Sequence, residues 1–327
     1  MLSDLDRIKD GMTVHPKIVI LTTGGTIAMR HLASADGAVP QLTGDDFLSA
    51  LPPHFFDQVA LTVDAVCNLP SSHFTLDTLC TICQRARQWL SRTDVAGVVI
   101  THGTDTLEET AYLCDLIVPG AKPVVLTGAM RTVSDVGYEG YANLVAAVRV
   151  AADPAARGLG ALVVMNDQIH AARFVTKMHT LNPATFQSPE FGPLGRITGE
   201  RVEIVQRVSR DLVECDVLEP DVALLKLGVG MAPTLLDCVL QHGAKGVVLE
   251  ALGGGRVPHW WLPAIREAVE AGVVVMIASR CPAGPIWDGY GYAGAYASLK
   301  KLGVLFAPGI NGPKARIRLM CALGHRS

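Results

Sequence analysis

"VAGVVITHGTDTLEETAYLCDLIV", residues 95–118, opens as an apolar run and closes as an amphipathic stretch, with His102, Thr104, Asp105 and Thr106 crowded into the turn between. A short Val- and Ile-rich run bounded by polar residues reads as a strand buried on both faces, and the segment after it as a helix folded back on that strand. Thr106, with Glu109 three residues later, fits a capping box, in which side chains satisfy the first free backbone N–H groups. Capping accounts for Thr106 alone and leaves His102, Thr104 and Asp105 without a role. A second threonine-rich turn, "LTTGGTIA" at 21–28, follows the first apolar run in the same way.

Working outward, similar runs stand at "KIVILTTGG" (17–25), "KPVVLTGAM" (122–130) and "GALVVMND" (160–167), separated by amphipathic stretches at 76–90, 107–118 and 139–153. Alternation of this kind predicts right-handed crossovers and a mostly parallel sheet with helices on both faces, an α/β fold of the doubly wound type. The rhythm restarts near 221 with "VALLKLG", "GVVLEALGGG" and "GVVVMIASR", which predicts a second, smaller α/β unit. Between them, 191–220 carries more charge and loses the pattern. The expected division is an N-terminal catalytic domain over 1–205, a linker over 206–220 and a C-terminal α/β domain over 221–327. Both threonine turns then fall at the carboxyl ends of parallel strands, at a switch point where open α/β sheets bind ligands.

Composition narrows the function. The chain has 327 residues, enough for two domains, and 49% of them are hydrophobic. Every apolar stretch is interrupted before the roughly 18 residues that a membrane-spanning helix needs. The charged start "MLSDLDRIKDGMTVHPK" has no apolar core of the secretory kind, so a cytoplasmic location is expected. Eight cysteines scattered over the chain, several among apolar neighbours, read as reduced buried thiols and not as a zinc site. A net charge of −3, with no run of Lys or Arg, argues against nucleic acid and membrane as partners and leaves small molecules or a second copy of the chain.

The turns carry the chemistry. The pair Gly24 and Gly25 lets backbone approach a ligand closely, which makes Gly25 a candidate substrate contact, and presents Thr26 at the sheet rim. Thr104 and Asp105 reach the same rim. A threonine hydroxyl is a poor nucleophile until a base takes its proton, and Lys177 in "RFVTKMHT", beyond the fourth strand, can shuttle protons if desolvated beside Thr104 and Asp105. His102, at a strand end, reads as a structural hydrogen-bonding histidine, and Asp105 alone reads equally well as a helix cap. A dinucleotide site would need GxGxxG directly after the first strand, and "TTGGTIA" does not supply it.

Together, "TGGTIA" (23–28) and "THGTDTLEETAY" (101–112) resemble the two signature segments of the bacterial-type L-asparaginase/glutaminase family, and "KPVVLTGAMR", "VVMND", "FVTKMHT", "FGPLG" and "GPKARIRL" resemble further segments in the family's order. The resemblance implies an amidohydrolase that forms a threonine acyl-enzyme and works without metal or cofactor. It implies Thr26 as nucleophile, with Thr104, Asp105 and Lys177 as the second catalytic set, in which Thr104 activates, Lys177 takes the proton, and Asp105 holds the lysine and the substrate ammonium. Substrate-binding roles fall on Gly25, Ser71, Thr104 and Asp105, and on Ser72, which stands where the family usually has glutamine. Gly254 stands where many relatives place a partner-subunit asparagine, and no tyrosine lies between Thr26 and Leu51 to serve as the family's lid tyrosine; Tyr290, Tyr292 and Tyr296 are candidates to act from elsewhere, although surface or packing roles suit all three better and nothing in the sequence chooses among them. L-asparagine is the expected substrate and a homodimer or homotetramer the expected assembly. L-glutamine, a D-amino acid amide, or amino-acid binding without catalysis are the alternatives.

Overall fold

The computed structural model describes residues 15–32, 37–49, 55, 59–287 and 289–324. The start of the chain, on which the expectation of a missing secretory signal rests, lies for residues 1–14 outside the described residues. The first unit runs β1 (Lys17–Gly24), β2 (Met29–His31), β3 (Ala38–Pro40), α1 (Gly44–Ser49), β4 (Ala60–Leu69), α2 (Leu76–Leu90), β5 (Val95–Thr101), α3 (Leu107–Ile117), β6 (Val124–Thr127) and α4 (Gly140–Ala152). It continues through β7 (Ala161–Met165), β8 (Gln168–Ala171), β9 (Thr176–Lys177), β10 (Phe186–Gln187), β11 (Gly195–Thr198) and β12 (Arg201–Ile204). The second comprises β13 (Val222–Lys226), α5 (Thr234–Gln241), β14 (Gly246–Ala251), α6 (Leu262–Glu270), β15 (Val274–Ser279), α7 (Tyr296–Lys301), β16 (Leu305–Phe306) and α8 (Gly312–Gly324).

The main sheet has the order β12-β11-β8-β7-β6-β5-β1-β4. Its strands from β4 to β7 are parallel, and β8, β11 and β12 extend it antiparallel. From β1 the chain crosses to β4 at the edge and then returns to β5 on the other side of β1, so the strand order reverses at β1. The carboxyl ends of β1 and β5 therefore flank the switch point, and Thr22 stands level with Thr101 there.

Burial on both faces explains the apolar runs. Val19 and Leu21 of β1, with Val98 and Ile100 of β5, pack under α2 and α3, whereas Ile18, Ile20 and Val99 pack under α4. Each fully buried Ile or Leu of this kind contributes about 1.5–3 kcal/mol.

The second unit is a four-stranded parallel sheet in the order β13-β14-β15-β16. Helix α8 lies against β13, β14 and β15 and also against α3, so that its Ile317, Leu319 and Met320 share one apolar core with Leu113 and Leu116 of α3. The segment expected as a linker is pinned to the same helix. Arg210 ion-pairs with Asp115 at 3.0 Å and donates to the carbonyls of Asp115 and Val118, while Val213 N–H donates to Leu116 O. Cys215 and Leu218 are buried, which makes 206–220 a packed strap rather than a free tether.

All eight cysteines are free thiols. Cys80 and Cys83 stand three residues apart on α2, a close spacing that the reading of scattered cysteines overlooks, and Cys83 Sγ lies 3.4 Å from Cys114 Sγ on α3. No described helix is long and apolar enough to cross a membrane, and no described group of His, Cys, Asp and Glu is arranged to hold a metal ion.

Candidate active site

Gly25 has φ 82° and ψ −179°, backbone that only glycine adopts at low cost. A Cβ added there would sit 2.3 Å from both N and Cα of Gly103. The two glycine turns touch backbone to backbone, and this contact brings the residue after Gly25, Thr26, beside the turn that carries Thr104 and Asp105. Thr26 opens a short 3₁₀ turn (Thr26–Ala28) and is half-buried, whereas the following Ile27 and Ala28 are fully buried and anchor it. Among the described residues no hydrogen bond engages the Thr26 hydroxyl. One residue on, Ile27 O accepts a 2.7 Å hydrogen bond from the Tyr138 hydroxyl, a support that nothing in the first threonine turn announces. Burial pushes the Tyr138 phenol well above its ordinary pKa, so it stays a donor.

On the second turn, Lys177 Nζ donates to Thr104 Oγ1 at 2.9 Å and to Asp105 Oδ1 at 2.7 Å. The lysine comes from β9, which is held in a short hairpin with β10, Lys177 lying opposite Phe186. Thr104 is buried at 5% exposure and the Lys177 side chain largely so at 18%, but the Asp105 side chain is 67% exposed. The buried hydroxyl and lysine meet a carboxylate that a ligand can reach from solvent, an arrangement that allows protons to pass between side chains within hydrogen-bond reach.

Ser71 and Ser72 separate. Ser71 is 3% exposed, its Oγ accepts from Thr106 N–H at 3.4 Å, and it would lie 2.7 Å from a Cβ on Gly103, which places it at the start of α3 among the first free N–H groups. That end of a helix favours a carboxylate. Ser72 is exposed, and among the described residues no hydrogen bond joins it to the cluster.

The capping box expected at Thr106 does not form. Thr106 occupies the N-cap position without a side-chain cap, because its hydroxyl donates to Ser71 O at 3.0 Å and so ties the α3 turn to the Ser71 turn. His102 is structural, as its position suggests. It is fully buried, with Nδ1 2.7 Å from Gly103 O and Nε2 2.8 Å from Thr110 Oγ1. Since a carbonyl only accepts, Nδ1 carries the proton and Nε2 accepts from the threonine. Desolvation lowers the His102 pKa to about 4, so the ring is neutral at ordinary pH.

Other residues sit elsewhere in the chain. Gly254 O accepts from Trp287 N–H. Tyr290 stacks on the Arg256 guanidinium at 4.6 Å and Tyr296 on Phe306 at 4.1 Å, while Tyr292 adjoins Tyr290, all three within the second unit.

Sequence reading missed Glu108, the second residue of α3. It is 8% exposed, and its carboxylate accepts from Lys177 N–H at 2.7 Å and from Asn311 Nδ2 at 2.7 Å. An acidic residue in a first helical turn reads as a partner of the helix dipole, and nothing local signals that its bonds run to distant segments.

Residues 17–210 match the family model described as "Asparaginase, N-terminal", and residues 221–327 match "Glutaminase/Asparaginase C-terminal domain". The chain is 34% identical to a protein of Bacillus licheniformis named L-asparaginase, over 95% of this chain and 96% of that one. It is 35% identical to the probable periplasmic L-asparaginase of Haemophilus influenzae, over 94% and 88%, and 34% identical to the glutaminase-asparaginase of Pseudomonas fluorescens, over 94% and 86%.

Proposed function

The chain belongs to the asparaginase family, and from that membership we propose that it hydrolyses L-asparagine to L-aspartate and ammonia through an acyl-enzyme on Thr26. The observation that carries the reading is the pair of short bonds from Lys177 Nζ to Thr104 and Asp105 on a turn in backbone contact with Gly25. Thr26 Oγ1 attacks the amide carbon, and its proton passes to the Thr104–Lys177 pair, which returns a proton to the departing ammonia. Water then enters, gives up its proton by the same route, and cleaves the ester. Asp105 holds the substrate ammonium. Ser71 and the free N–H groups at the start of α3 take the α-carboxylate, and the backbone at Gly25 borders the substrate. Ser72, exposed and outside the cluster, has the weakest claim among the substrate contacts.

The domains on this reading are 1–205 and 221–327 with 206–220 between them. The working form is a homodimer or homotetramer, in which exposed Trp287, Tyr290 and Tyr292 supply the aromatic surface that interfaces favour. Free thiols throughout fit a reducing, cytoplasmic setting.

Ammonia release from L-asparagine, L-glutamine and their D-forms tests the assignment. L-asparagine should lead, and Thr26→Ala should remove at least ~10³-fold of the rate with the fold intact. Normal turnover by folded Thr26→Ala would remove Thr26 from its role. Faster glutamine turnover would move the substrate assignment to glutaminase.

A further inference from the structure

We propose that Glu108 and Asn311 are positioning residues for Lys177, and that through them the C-terminal helix α8 fixes the lysine that takes the proton. The inference rests on the relay reading of Lys177 given above.

Two N–H donors converge on one buried carboxylate. Lys177 N–H reaches Glu108 Oε2 and Asn311 Nδ2 reaches Oε1, each at 2.7 Å, the short distance of charge-assisted bonds. Glu108 lies four residues after Thr104 and three after Asp105 at the start of one rigid helix. That single turn therefore grips Lys177 twice, its side-chain nitrogen through Thr104 and Asp105 and its backbone through Glu108. The lysine stem is fixed at both ends.

Asn311 brings in the second unit. Its Oδ1 accepts from Lys314 N–H at 3.2 Å and so caps α8, and its Nδ2 also lies 3.4 Å from Thr176 Oγ1 on β9. Lys314, fully buried, donates from Nζ to Arg173 O at 3.2 Å and to Val175 O, holding the chain that leads into β9. The first turn of α8 thus contacts the backbone on the approach to Lys177 and, through Asn311, the carboxylate that holds Lys177 itself. Burial draws the Lys314 ammonium down to about 8, with Glu108 opposing that shift, which is consistent with a site dry enough for these contacts to be strong.

The chemistry of the pair sets the experiment. A glutamine at 108 offers one acceptor and one donor to two facing donors, so one of the two bonds must fail. Aspartate at 311 accepts instead of donating, can still cap α8, and restores complementarity with that glutamine. Kinetic constants for ammonia release, kcat–pH profiles and melting temperatures are measured for the wild type, Glu108→Gln, Asn311→Asp and the double variant. Glu108→Gln should lower kcat by about 10- to 100-fold, the scale of a ~1 Å misplacement, with KM within about threefold. The double variant should regain kcat to within about tenfold of wild type and recover the wild-type pH profile. Losses that simply multiply in the double variant, or wild-type kcat in folded Glu108→Gln, overturn the proposal.

If Glu108→Gln fails to fold, Asn311→Asp alone keeps a helix cap while removing the donor, and should lower kcat about tenfold at unchanged KM; an unchanged kcat there overturns the proposal equally. Lys177→Met, run alongside, separates the two levels. Turnover surviving in Lys177→Met defeats the relay reading, whereas an inactive Lys177→Met with a purely multiplicative cycle defeats only the positioning of the lysine by Glu108 and Asn311.

Discussion

Replacing Gly25 with alanine tests the contact on which the whole site depends. The new Cβ would meet Gly103 N and Cα at 2.3 Å, and ordinary contact begins near 3.4 Å. Both obstacles are backbone, so no side chain can swing aside, and the two turns must part by about 1 Å. A displacement of that size between reacting groups costs about 10²-fold in rate. Holding φ at 82° with ψ near 180° costs a non-glycine residue a further ~1–3 kcal/mol of stability. Gly158→Ala supplies the control, since Gly158 has a similar φ of 78° and a Cβ there would meet no heavy atom within 4 Å, so it carries the strain without the clash. Both variants should melt a few degrees below wild type, but only Gly25→Ala should lose about 10²-fold or more in kcat/KM for ammonia release. A folded Gly25→Ala enzyme with wild-type kcat/KM would refute the claim that the Gly25–Gly103 contact sets the distance from Thr26 to Thr104.

Lys177→Met should lower kcat by about 10²- to 10⁴-fold while calorimetry still detects aspartate binding, because on the proposed relay the lysine moves a proton and does not recognise substrate; lost binding with an intact chemical step would reverse that assignment. His102 and His170 are both buried, and desolvation lowers each pKa to about 4. The unfolded chain takes up a proton near pH 6.5 that the folded one refuses, so their contribution is complete above that pH and is lost as the pH falls toward 4, up to about 3 kcal/mol each. Melting temperature against pH should therefore show about one proton less taken up on unfolding near pH 5.5 in His102→Gln, and an unchanged slope would contradict the burial argument. Light scattering should find a dimer or tetramer, and a fully active stable monomer would exclude a site shared between subunits.

The parallel strands are legible because burial on both faces leaves only apolar residues, as "KIVIL" and "VAGVVI" show. Strand β4 escapes notice because it sits at the sheet edge and is mostly half-exposed, so "ALTVDAVCNL" lacks the continuous apolar signal. Helix α8 escapes for the opposite reason: buried between α3 and the strands β13, β14 and β15, with Lys314 inside, it has no clean polar face from which a helical period can be read. Thr106 and Glu109 have the spacing of a capping box, yet the Ser71 carbonyl competes for the Thr106 hydroxyl and wins, a partner 35 residues away that no local pattern contains.

The same division runs through the candidate site. Thr104 and Asp105 stand out because a strand end has no structural need for both, and the chain makes them neighbours whatever it does next. Glu108 does not, because its partners lie 69 and 203 residues away and its chain position already has an ordinary explanation in the helix dipole. Gly25 shows the difference most sharply. Read in the sequence, a glycine before a reactive threonine leaves room for a ligand; in the folded chain that room is occupied by the backbone of Gly103, so the missing side chain first lets one turn reach the other. Any substrate must then meet Gly25 along its peptide groups and not in the space of its absent Cβ, which is why alanine at this position should separate the two halves of the chemistry before it obstructs binding.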